Sequence, residues 1–196
     1  MITKTQLRTK RLFDVLLALM LVPILILPLL ILLIMTAIDT KRFGFFKQKR
    51  VGQHGKLFYI YKLRTLRDEE HQLGHLSKSA TRLGRFLRRT RLNEWPQLLN
   101  VLKGDMSFVG PRPDLPGFAD KLEGEDRIIL LVKPGITGPA TLKYRNEERV
   151  LERQKDPEHY NRTIIWADKV KINKNYVRNY SFYLDLVCII KSTINT

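Results

Sequence analysis

The chain has 196 residues, of which 44% are hydrophobic, and its 35 Lys and Arg against 19 Asp and Glu give a formal charge of +16. This apolar content excludes a disordered basic tail and is sufficient for one domain with a hydrophobic core. The single cysteine, Cys188, excludes an intrachain disulfide and indicates a reducing compartment, and without a CxxC motif or a Cys/His cluster no structural zinc site is expected.

The most apolar segment lies near the N-terminus. Residues 15–38 read VLLALMLVPILILPLLILLIMTAI and contain no charged side chain. As a helix this segment would measure ~36 Å, compared with roughly 30 Å for the hydrocarbon core of a bilayer. Both flanks are basic: Lys4, Arg8, Lys10 and Arg11 precede the segment, and Lys41, Arg42, Lys47, Lys49 and Arg50 follow it. Because positive charge favours the cytoplasmic side, both ends are predicted on that side.

Two prolines, Pro23 and Pro28, lie near the middle of the apolar segment. Each removes a helix hydrogen bond and bends the helix axis. We therefore favour a re-entrant hairpin of two short half-helices over a single membrane span. A cleaved signal peptide is a further alternative, but the apolar run exceeds the usual ~7–15 residues and no small-x-small cleavage site follows it.

Positive charge is concentrated directly after the apolar segment. Residues 41–103 hold 16 Lys and Arg against 4 Asp and Glu, whereas residues 104–196 hold 15 against 13. This distribution predicts a densely negative partner close to the apolar segment, either anionic membrane lipids or nucleic acid. We predict anionic lipids and no nucleic acid, because no motif for reading bases is present.

The remainder of the chain predicts a mixed but mostly helical fold. A strand is expected at 58–61, a loop at 67–80, a basic amphipathic helix at the membrane surface over 81–92, a helix over 93–103 with Asn93 as its N-cap, and a C-terminal helix over 180–194 with Phe182, Leu186, Ile189 and Ile190 facing inward.

The residues with the clearest chemical potential lie in NEWPQLLNVLKGDMSFVGPRP (93–113). Glu94 is in the first turn of a predicted helix, and Arg112 is held between two prolines, where its planar guanidinium suits a phosphate. A carboxylate together with phosphate oxygens is the usual way to bind Mg²⁺, and Asp105 and Asp114 are near in sequence. The pattern indicates phosphoryl transfer at a membrane. The alternative is that Glu94 only complements the helix dipole and Arg112 pairs with an acidic neighbour.

Several segments together resemble the bacterial sugar transferase family, the monotopic phosphoglycosyl transferases, and in particular its small members. They are KRLFDVLLALMLVPILILP (10–28), FKQKRVG (46–52), YKLRT (61–65), LGRFLRRTRLNEWPQLLNVLKGDMSFVGPRP (83–113), KPGITG (133–138) and, more weakly, YVRNYSFYLDL (176–186). The resemblance covers nearly the whole chain.

The resemblance implies an enzyme that transfers a sugar 1-phosphate from a UDP-sugar to polyprenyl (undecaprenyl) phosphate, releases UMP and requires Mg²⁺. This is the first membrane step of surface glycan assembly, at the cytoplasmic face of the bacterial inner membrane. The expected fold is α+β and mostly helical. Residues 1–40 would hold a re-entrant membrane helix hairpin, and 41–196 a small cytoplasmic catalytic domain with amphipathic interfacial helices. A homodimer is left open.

One position departs from the family pattern. The family has an Asp-Glu pair at the head of the 93–113 block, with the Asp as nucleophile, whereas this chain has Asn93-Glu94. An Asn amide is a poor nucleophile and a weak Mg²⁺ ligand. Three explanations are open: a natural variant that uses another route, such as Glu94 as nucleophile or direct attack by the lipid phosphate; a catalytically impaired relative that still binds substrates; or a deliberately substituted form.

The resemblance also suggests roles for individual side chains. Asn93 and Glu94 mark the catalytic position, and Glu94 would bind Mg²⁺ or activate the nucleophile. A further acidic residue near the C-terminal helix has no clear match, since Asp168 and Asn173 both fit imperfectly. The remaining candidates are cations: Arg112 for the diphosphate, Arg88 for the polyprenyl phosphate, Lys62 and Arg64 for positive charge at the site, and Arg145 for the uridine or diphosphate end of the donor.

Overall fold

The computed structural model describes residues 1–67 and 79–194, so most of the predicted loop at 67–80 lies outside the described residues. The described chain is mostly helical with two small two-stranded sheets, which confirms the coarse fold class. The elements are α1 (Lys4–Thr40), β1 (Phe45–Val51), β2 (Leu57–Leu63), α2 (Arg82–Arg89), α3 (Leu98–Lys103), β3 (Ser107–Val109), β4 (Gly135–Thr137), α4 (Pro139–Lys143), α5 (Glu147–Leu151), α6 (Pro157–Tyr160), α7 (Trp166–Arg178) and α8 (Phe182–Ile194). Short 3₁₀ helices cover Gln53–Gly55, Leu92–Gln97, Ala119–Lys121 and Gly124–Leu131, and a π-helix covers Asn161–Ile165.

The predicted apolar segment forms most of α1. This helix begins with a capping box between Thr3 and Gln6 and ends at Lys41 in a left-handed conformation. It continues through both Pro23 and Pro28, so the structure does not show the two separate half-helices of the predicted hairpin. Its most apolar 18-residue window has a mean hydropathy of 3.2 and is only 6% buried. Within the described residues it is the one helix long and apolar enough to cross a membrane. A soluble domain would bury such a surface, so its exposure indicates contact with lipid.

Both ends of α1 contact the rest of the chain. Near its N-terminal end, Arg11 donates to the Val101 carbonyl of α3 (2.5 Å), and further along the helix Ala18 is fully buried in a cluster that includes Val101. At its C-terminal end, Thr36 is buried against Gly44, whose carbonyl accepts the backbone N–H of Arg64 at the end of β2 (2.7 Å). A Cβ atom on Gly44 would lie 2.3 Å from the Leu33 carbonyl oxygen, so only glycine allows this approach.

β1 and β2 form an antiparallel hairpin that confirms the predicted strand at 58–61. The register runs from Phe45 opposite Leu63 to Val51 opposite Leu57. Asn100, from α3, fixes the hairpin against the helices, because its side chain donates to the Tyr59 carbonyl (2.7 Å) and accepts the Tyr61 N–H (3.1 Å). This contact places the β2 side chains next to the 3₁₀ helix Leu92–Gln97.

The predicted helix over 93–103 is present, but Asn93 is not its N-cap. The segment begins as the 3₁₀ helix Leu92–Gln97 and continues as α3, which ends at Gly104 in a left-handed conformation. Arg91 is also left-handed (φ 56°), and its carbonyl already accepts the N–H of Glu94 (3.0 Å). The helical turn therefore starts before Asn93, whose side chain is not needed as a cap.

The two Pro- and Gly-containing loops are packed backbone to backbone. β3 and β4 pair in parallel, and the loops GPRP (110–113) and PGITG (134–138) adjoin these strands. A Cβ atom on Gly135 would lie 2.1 Å from the Gly110 nitrogen, and one on Gly138 would lie 2.2 Å from the Gly110 carbonyl oxygen. This contact fixes the loop that carries Arg112.

The C-terminal helix is present as α8, but its predicted inward face is only partly right, since Leu186 and Ile189 are half-buried and Ile189 packs against the core. Phe182 and Ile190 are exposed, whereas Asp185 and Cys188 are buried. The reason is a buried polar network: Asp185 accepts Lys10 Nζ (2.5 Å), Tyr176 Oη (2.7 Å) and Tyr180 Oη (3.1 Å). A buried carboxylate is tolerated when it is paired and hydrogen-bonded in this way.

Replacing Asp185 with Asn is expected to lower the free energy of unfolding by about 3–5 kcal/mol, because it leaves the buried Lys10 ammonium without its counter-charge. Unfolding in detergent micelles measures the loss. Asp126→Asn is the matched control, since its pair with Lys174 is half-exposed and should contribute no more than about 1 kcal/mol. Equal losses in the two variants would contradict the role assigned to the buried network.

Candidate active site

The centre of the site is the buried carboxylate of Glu94, on the 3₁₀ helix Leu92–Gln97. Arg112 donates to both of its oxygens, with Nη2 on Oε1 and Nη1 on Oε2 (3.3 Å), and Lys62 Nζ donates to Oε1 (3.2 Å). Burial raises the pKa of Glu94, but the two cations outweigh burial and hold the pKa well below its usual range. Glu94 is therefore ionised at neutral pH.

The two cations beside Glu94 differ in exposure and in pKa. Lys62 is mostly buried, and burial lowers its pKa to about 8 although Glu94 opposes that shift. Arg112 has a raised pKa because of Glu94, and its side chain is 34% exposed compared with 8% for Glu94. Arg112 therefore extends from the carboxylate towards solvent, where a phosphate could reach it.

Further cations surround this centre. Arg50 donates to the Pro113 carbonyl (3.2 Å), and its pKa falls to about 10 through burial and through repulsion by Arg112. Burial, followed by repulsion from Arg112 and Arg145, also lowers the pKa of Arg91. A concentration of positive charge that depresses the pKa of its own members favours an anionic ligand.

Asp114 is a second acidic group near the site. Burial raises its pKa to about 7, although Lys169 and Arg50 lower it in part. Lys169 donates to both oxygens of Glu147 (2.7 Å each), which lies at the beginning of α5. The segments around Arg112 and Glu147 are thus close enough for their charges to interact.

The structure brings together most of the predicted site residues. Lys62 and Arg112 contact Glu94 directly, and Arg145 lies within electrostatic range of Arg91. Arg88 instead pairs with Glu148 (2.8 Å).

Arg64 has other partners. It donates to the Phe43 carbonyl (3.1 Å) and lies over the Phe46 ring, 5.5 Å from its centroid. These contacts occupy the Arg64 side chain away from Glu94, so the structure does not place it among the groups around that carboxylate.

Asn93 is nearly buried beside Glu94, with 7% of its surface exposed. Within the described residues its side chain has no hydrogen-bond partner. Asn93 is therefore next to Glu94 in the chain, but its amide takes no part in the Glu94 hydrogen bonds found in the described part of the chain.

The two candidates for the acidic residue near the C-terminus differ in their surroundings. Asp168, on α7, accepts Lys143 Nζ (2.6 Å) and Tyr144 Oη (2.7 Å). Asn173 is buried on the same helix, and its Oδ1 has no partner within the described residues. Neither residue contacts Glu94.

Sequence reasoning missed Arg50, Arg91 and Lys169 as members of this charged cluster, and noted Asp114 only as a nearby carboxylate. Arg50 lies in the FKQKRVG segment and Asp114 directly follows GPRP, so the quoted motifs contained a signal for both. Nothing in the local sequence marks Lys169 as a site residue. It lies near Asp114 only because the chain folds α7 against this part of the molecule.

The side chains around Glu94 offer few ligands for a metal ion such as Mg²⁺. Among residues 1–67 and 79–194, no three or more His, Cys, Asp or Glu side chains form a group that could hold a metal ion. Mg²⁺ is commonly held by one or two carboxylates together with substrate phosphates. Of the roughly four acceptor positions of the ionised Glu94, three are taken by Arg112 and Lys62, which leaves one on Oε2, so a single-carboxylate site completed by phosphates fits these residues.

Comparison with known proteins identifies the family. The sequence profile described as bacterial sugar transferase matches residues 5–196. A Bacillus subtilis protein named uncharacterized sugar transferase EpsL is 40% identical over 183 residues, which are 90% of this chain and 81% of that protein. An Aeromonas hydrophila protein named UDP-N-acetylgalactosamine-undecaprenyl-phosphate N-acetylgalactosaminephosphotransferase is 30% identical over 95% of this chain and 43% of its own length. The undecaprenyl-phosphate galactose phosphotransferase of Salmonella typhimurium is 30% identical over 93% of this chain and 39% of its own length.

The chain thus spans most of the Bacillus relative and less than half of the other two proteins. The match extends through the segments that supply Lys62, Glu94 and Arg112. This chain belongs to the bacterial sugar transferase family.

Proposed function

We propose that the chain transfers a sugar 1-phosphate from a UDP-sugar to undecaprenyl phosphate, the activity that the names of its relatives describe. An oxygen of the acceptor phosphate bonds to the phosphorus that bears the sugar, the bond to the bridging oxygen breaks, and UMP leaves with that oxygen. The observation that carries this proposal is the buried, ionised Glu94 held by Arg112 and Lys62.

The surrounding cations have a clear task in this reaction. Donor and acceptor both carry phosphates and repel each other, and phosphoryl transfer depends mainly on positioning and charge stabilisation. Arg112 presents a planar guanidinium at the accessible edge of the site, while Lys62, Arg50 and Arg91 supply charge from the buried side. Glu94 keeps Arg112 and Lys62 oriented.

We further propose Mg²⁺ as the cofactor, held by Glu94 and by phosphate oxygens of the substrates. When bound, the ion would offset the negative charge of the phosphates. Lys62 and Arg112 would continue to position the Glu94 carboxylate. This assignment needs no second protein carboxylate.

Because Asn93 stands where the family has a nucleophilic Asp, the transfer needs another nucleophile. We favour direct attack by the acceptor phosphate over attack by Glu94. The Glu94 oxygens already accept hydrogen bonds from two cations, which reduces their nucleophilicity. The cationic cluster is intact in this chain, and no observation favours a catalytically impaired relative.

Release of UMP tests the proposal. Purified chain in detergent, incubated with undecaprenyl phosphate, Mg²⁺ and a panel of UDP-sugars, is expected to release UMP from at least one donor. The release should require the acceptor lipid, so the same mixture without it is the control. No UMP from any donor would contradict the proposed function.

We propose that α1, which is one helix through Pro23 and Pro28, bends at these prolines and enters the membrane as a re-entrant hairpin, with residues 41–196 as a catalytic domain at the cytoplasmic face of the inner membrane. Support comes from the contacts that both ends of α1 make with the rest of the chain. The amphipathic helix α2 adds to this support, because Leu87 is buried while Phe86 is 49% exposed beside several arginines. Such a surface suits the headgroup region.

Cysteines introduced at Lys4 and at Phe43 are both expected to react with a membrane-impermeant reagent only from the cytoplasmic side. Both positions are exposed, and the native Cys188 is buried, so the unmodified chain is a low-background control. Inverted and right-side-out vesicles distinguish the two sides. Reaction from opposite sides would replace the hairpin with a single span.

A further inference from the structure

A cavity of about 520 Å³ lies at the N-terminal end of α1, apart from the site around Glu94. Arg8, Arg11, Leu12, Asp14, Val15 and Lys133 are among its lining residues. None of the groups placed around Glu94 lines it, so it is distinct from the catalytic site. Its volume is within the range of small-ligand sites, roughly 300–1,000 Å³.

Three cations line this cavity without ion-pair partners in the described part of the chain. Lys133 and Arg8 make no hydrogen bond or ion pair there, whereas Arg11 donates to the carbonyls of Val101 (2.5 Å) and Leu102 (3.0 Å) at the end of α3. A Cβ atom on Gly104 would lie 3.2 Å from Lys133 Nζ and 3.4 Å from Arg11 Nη2, so these two cations flank the same point. Such a juxtaposition costs free energy unless an anion lies nearby.

Acidic groups offset only part of this charge: Asp14 and Asp105 interact electrostatically with Lys133, and neither forms a salt bridge with it in the described part of the chain. Asp14 accepts the Ser107 hydroxyl (3.1 Å) and the Phe108 N–H (3.0 Å), and it is buried. It forms no salt bridge within the described residues. Four cations line the cavity; Lys10 pairs with Asp185 and Arg11 donates to two carbonyls, so the other two remain available to a ligand that has phosphate-like oxygens.

The cavity continues into the apolar surface of α1. Leu12 is 61% exposed at its edge, and the same helix goes on to expose Leu16 and Leu19. The uncharged segment begins at Val15, which also lines the cavity. A ligand that fits must therefore join an anionic head to an apolar tail that lies along α1.

We propose that this cavity binds the phosphate headgroup of an anionic phospholipid, with the acyl chains against the exposed face of α1. This inference depends on the membrane insertion of α1 proposed above, but it is separate from sugar transfer. It assigns the cavity a bound lipid at the level where the hairpin enters the headgroup region.

Native mass spectrometry tests the inference. The full chain, extracted from vesicles of phosphatidylglycerol and phosphatidylcholine, is expected to retain about one phosphatidylglycerol, in keeping with a single site of this size. The double variant Arg8→Gln/Lys133→Gln should retain at least about tenfold less, the loss expected when two charge-assisted contacts are removed. Lys4→Gln/Lys56→Gln removes the same charge from exposed positions outside the cavity and is the matched control.

Each outcome decides the proposal. Equal loss in the control variant, or full retention in the cavity variant, would overturn it. Displacement of the lipid by inorganic phosphate alone would assign the cavity to a free anion, and displacement by undecaprenyl phosphate would assign it to the acceptor. Lys133→Arg keeps the charge and should retain the lipid. This variant tests the role of the charge even if the variant with glutamine at position 133 fails to fold. UMP release is measured in parallel, so failure of the proposed transfer activity is recognised separately.

Discussion

Arg112→Ala is expected to lower kcat for UMP release by about 10²–10³-fold, the loss typical of removing a group that stabilises charge in the transition state. The substitution removes the guanidinium that donates to both oxygens of Glu94 and extends to the accessible edge of the site. It also leaves Glu94 with Lys62 as its remaining direct cationic partner. Initial rates at saturating donor and acceptor measure the effect, and vesicle flotation should show unchanged membrane association.

Arg64→Ala is the matched control for Arg112→Ala. It removes the same charge from a residue that contacts Phe43 and Phe46 instead of Glu94. We expect activity close to that of the unmodified chain. Arg112→Lys should recover only part of the lost rate, because an ammonium keeps the charge but not the planar two-point contact. Near-normal turnover of Arg112→Ala would remove the assignment of this residue to the phosphates.

Features that depend on local sequence were predictable. The long apolar helix follows from composition alone, and α2 follows from the alternation of apolar residues and arginines. The ion pair between Glu94 and Arg112 was predicted only as an alternative. The two residues are 18 positions apart, and at that separation the sequence does not show whether they pair with each other or bind the substrate and the metal ion separately.

Features that depend on distant contacts were not predictable in the same way. The predicted inward face of α8 was wrong for Phe182 and Ile190, because the helix instead turns Asp185 inward to contact Lys10, 175 residues away. The prediction of Asn93 as the N-cap was wrong because Arg91 adopts a left-handed conformation, which nothing in the local sequence predicts. Lys169, unlike Arg50 and Arg91, comes from a segment that only the fold brings near Asp114.

Asn93→Asp is expected to change the chemical course of the reaction. The new carboxylate would come directly before Glu94 in the chain, and Glu94 shows that the cations of this site keep a buried carboxylate ionised. Incubation with UDP-sugar and no acceptor should then give a burst of about one UMP per chain and a covalent sugar-phosphate adduct, because an ionised carboxylate can act as a nucleophile and an amide cannot. Intact-mass measurement detects the adduct.

The unmodified chain provides the decisive comparison. Direct attack by the acceptor phosphate predicts neither a burst nor an adduct when the acceptor is missing, and it requires both substrates to be bound together. The double variant Asn93→Asp/Glu94→Gln shows whether Glu94 is needed for the adduct, and Asn93→Ala shows whether the amide has a role of its own. An adduct on the unmodified chain that maps to Glu94 would contradict direct attack, because the carboxylate held by Arg112 and Lys62 would then be the nucleophile.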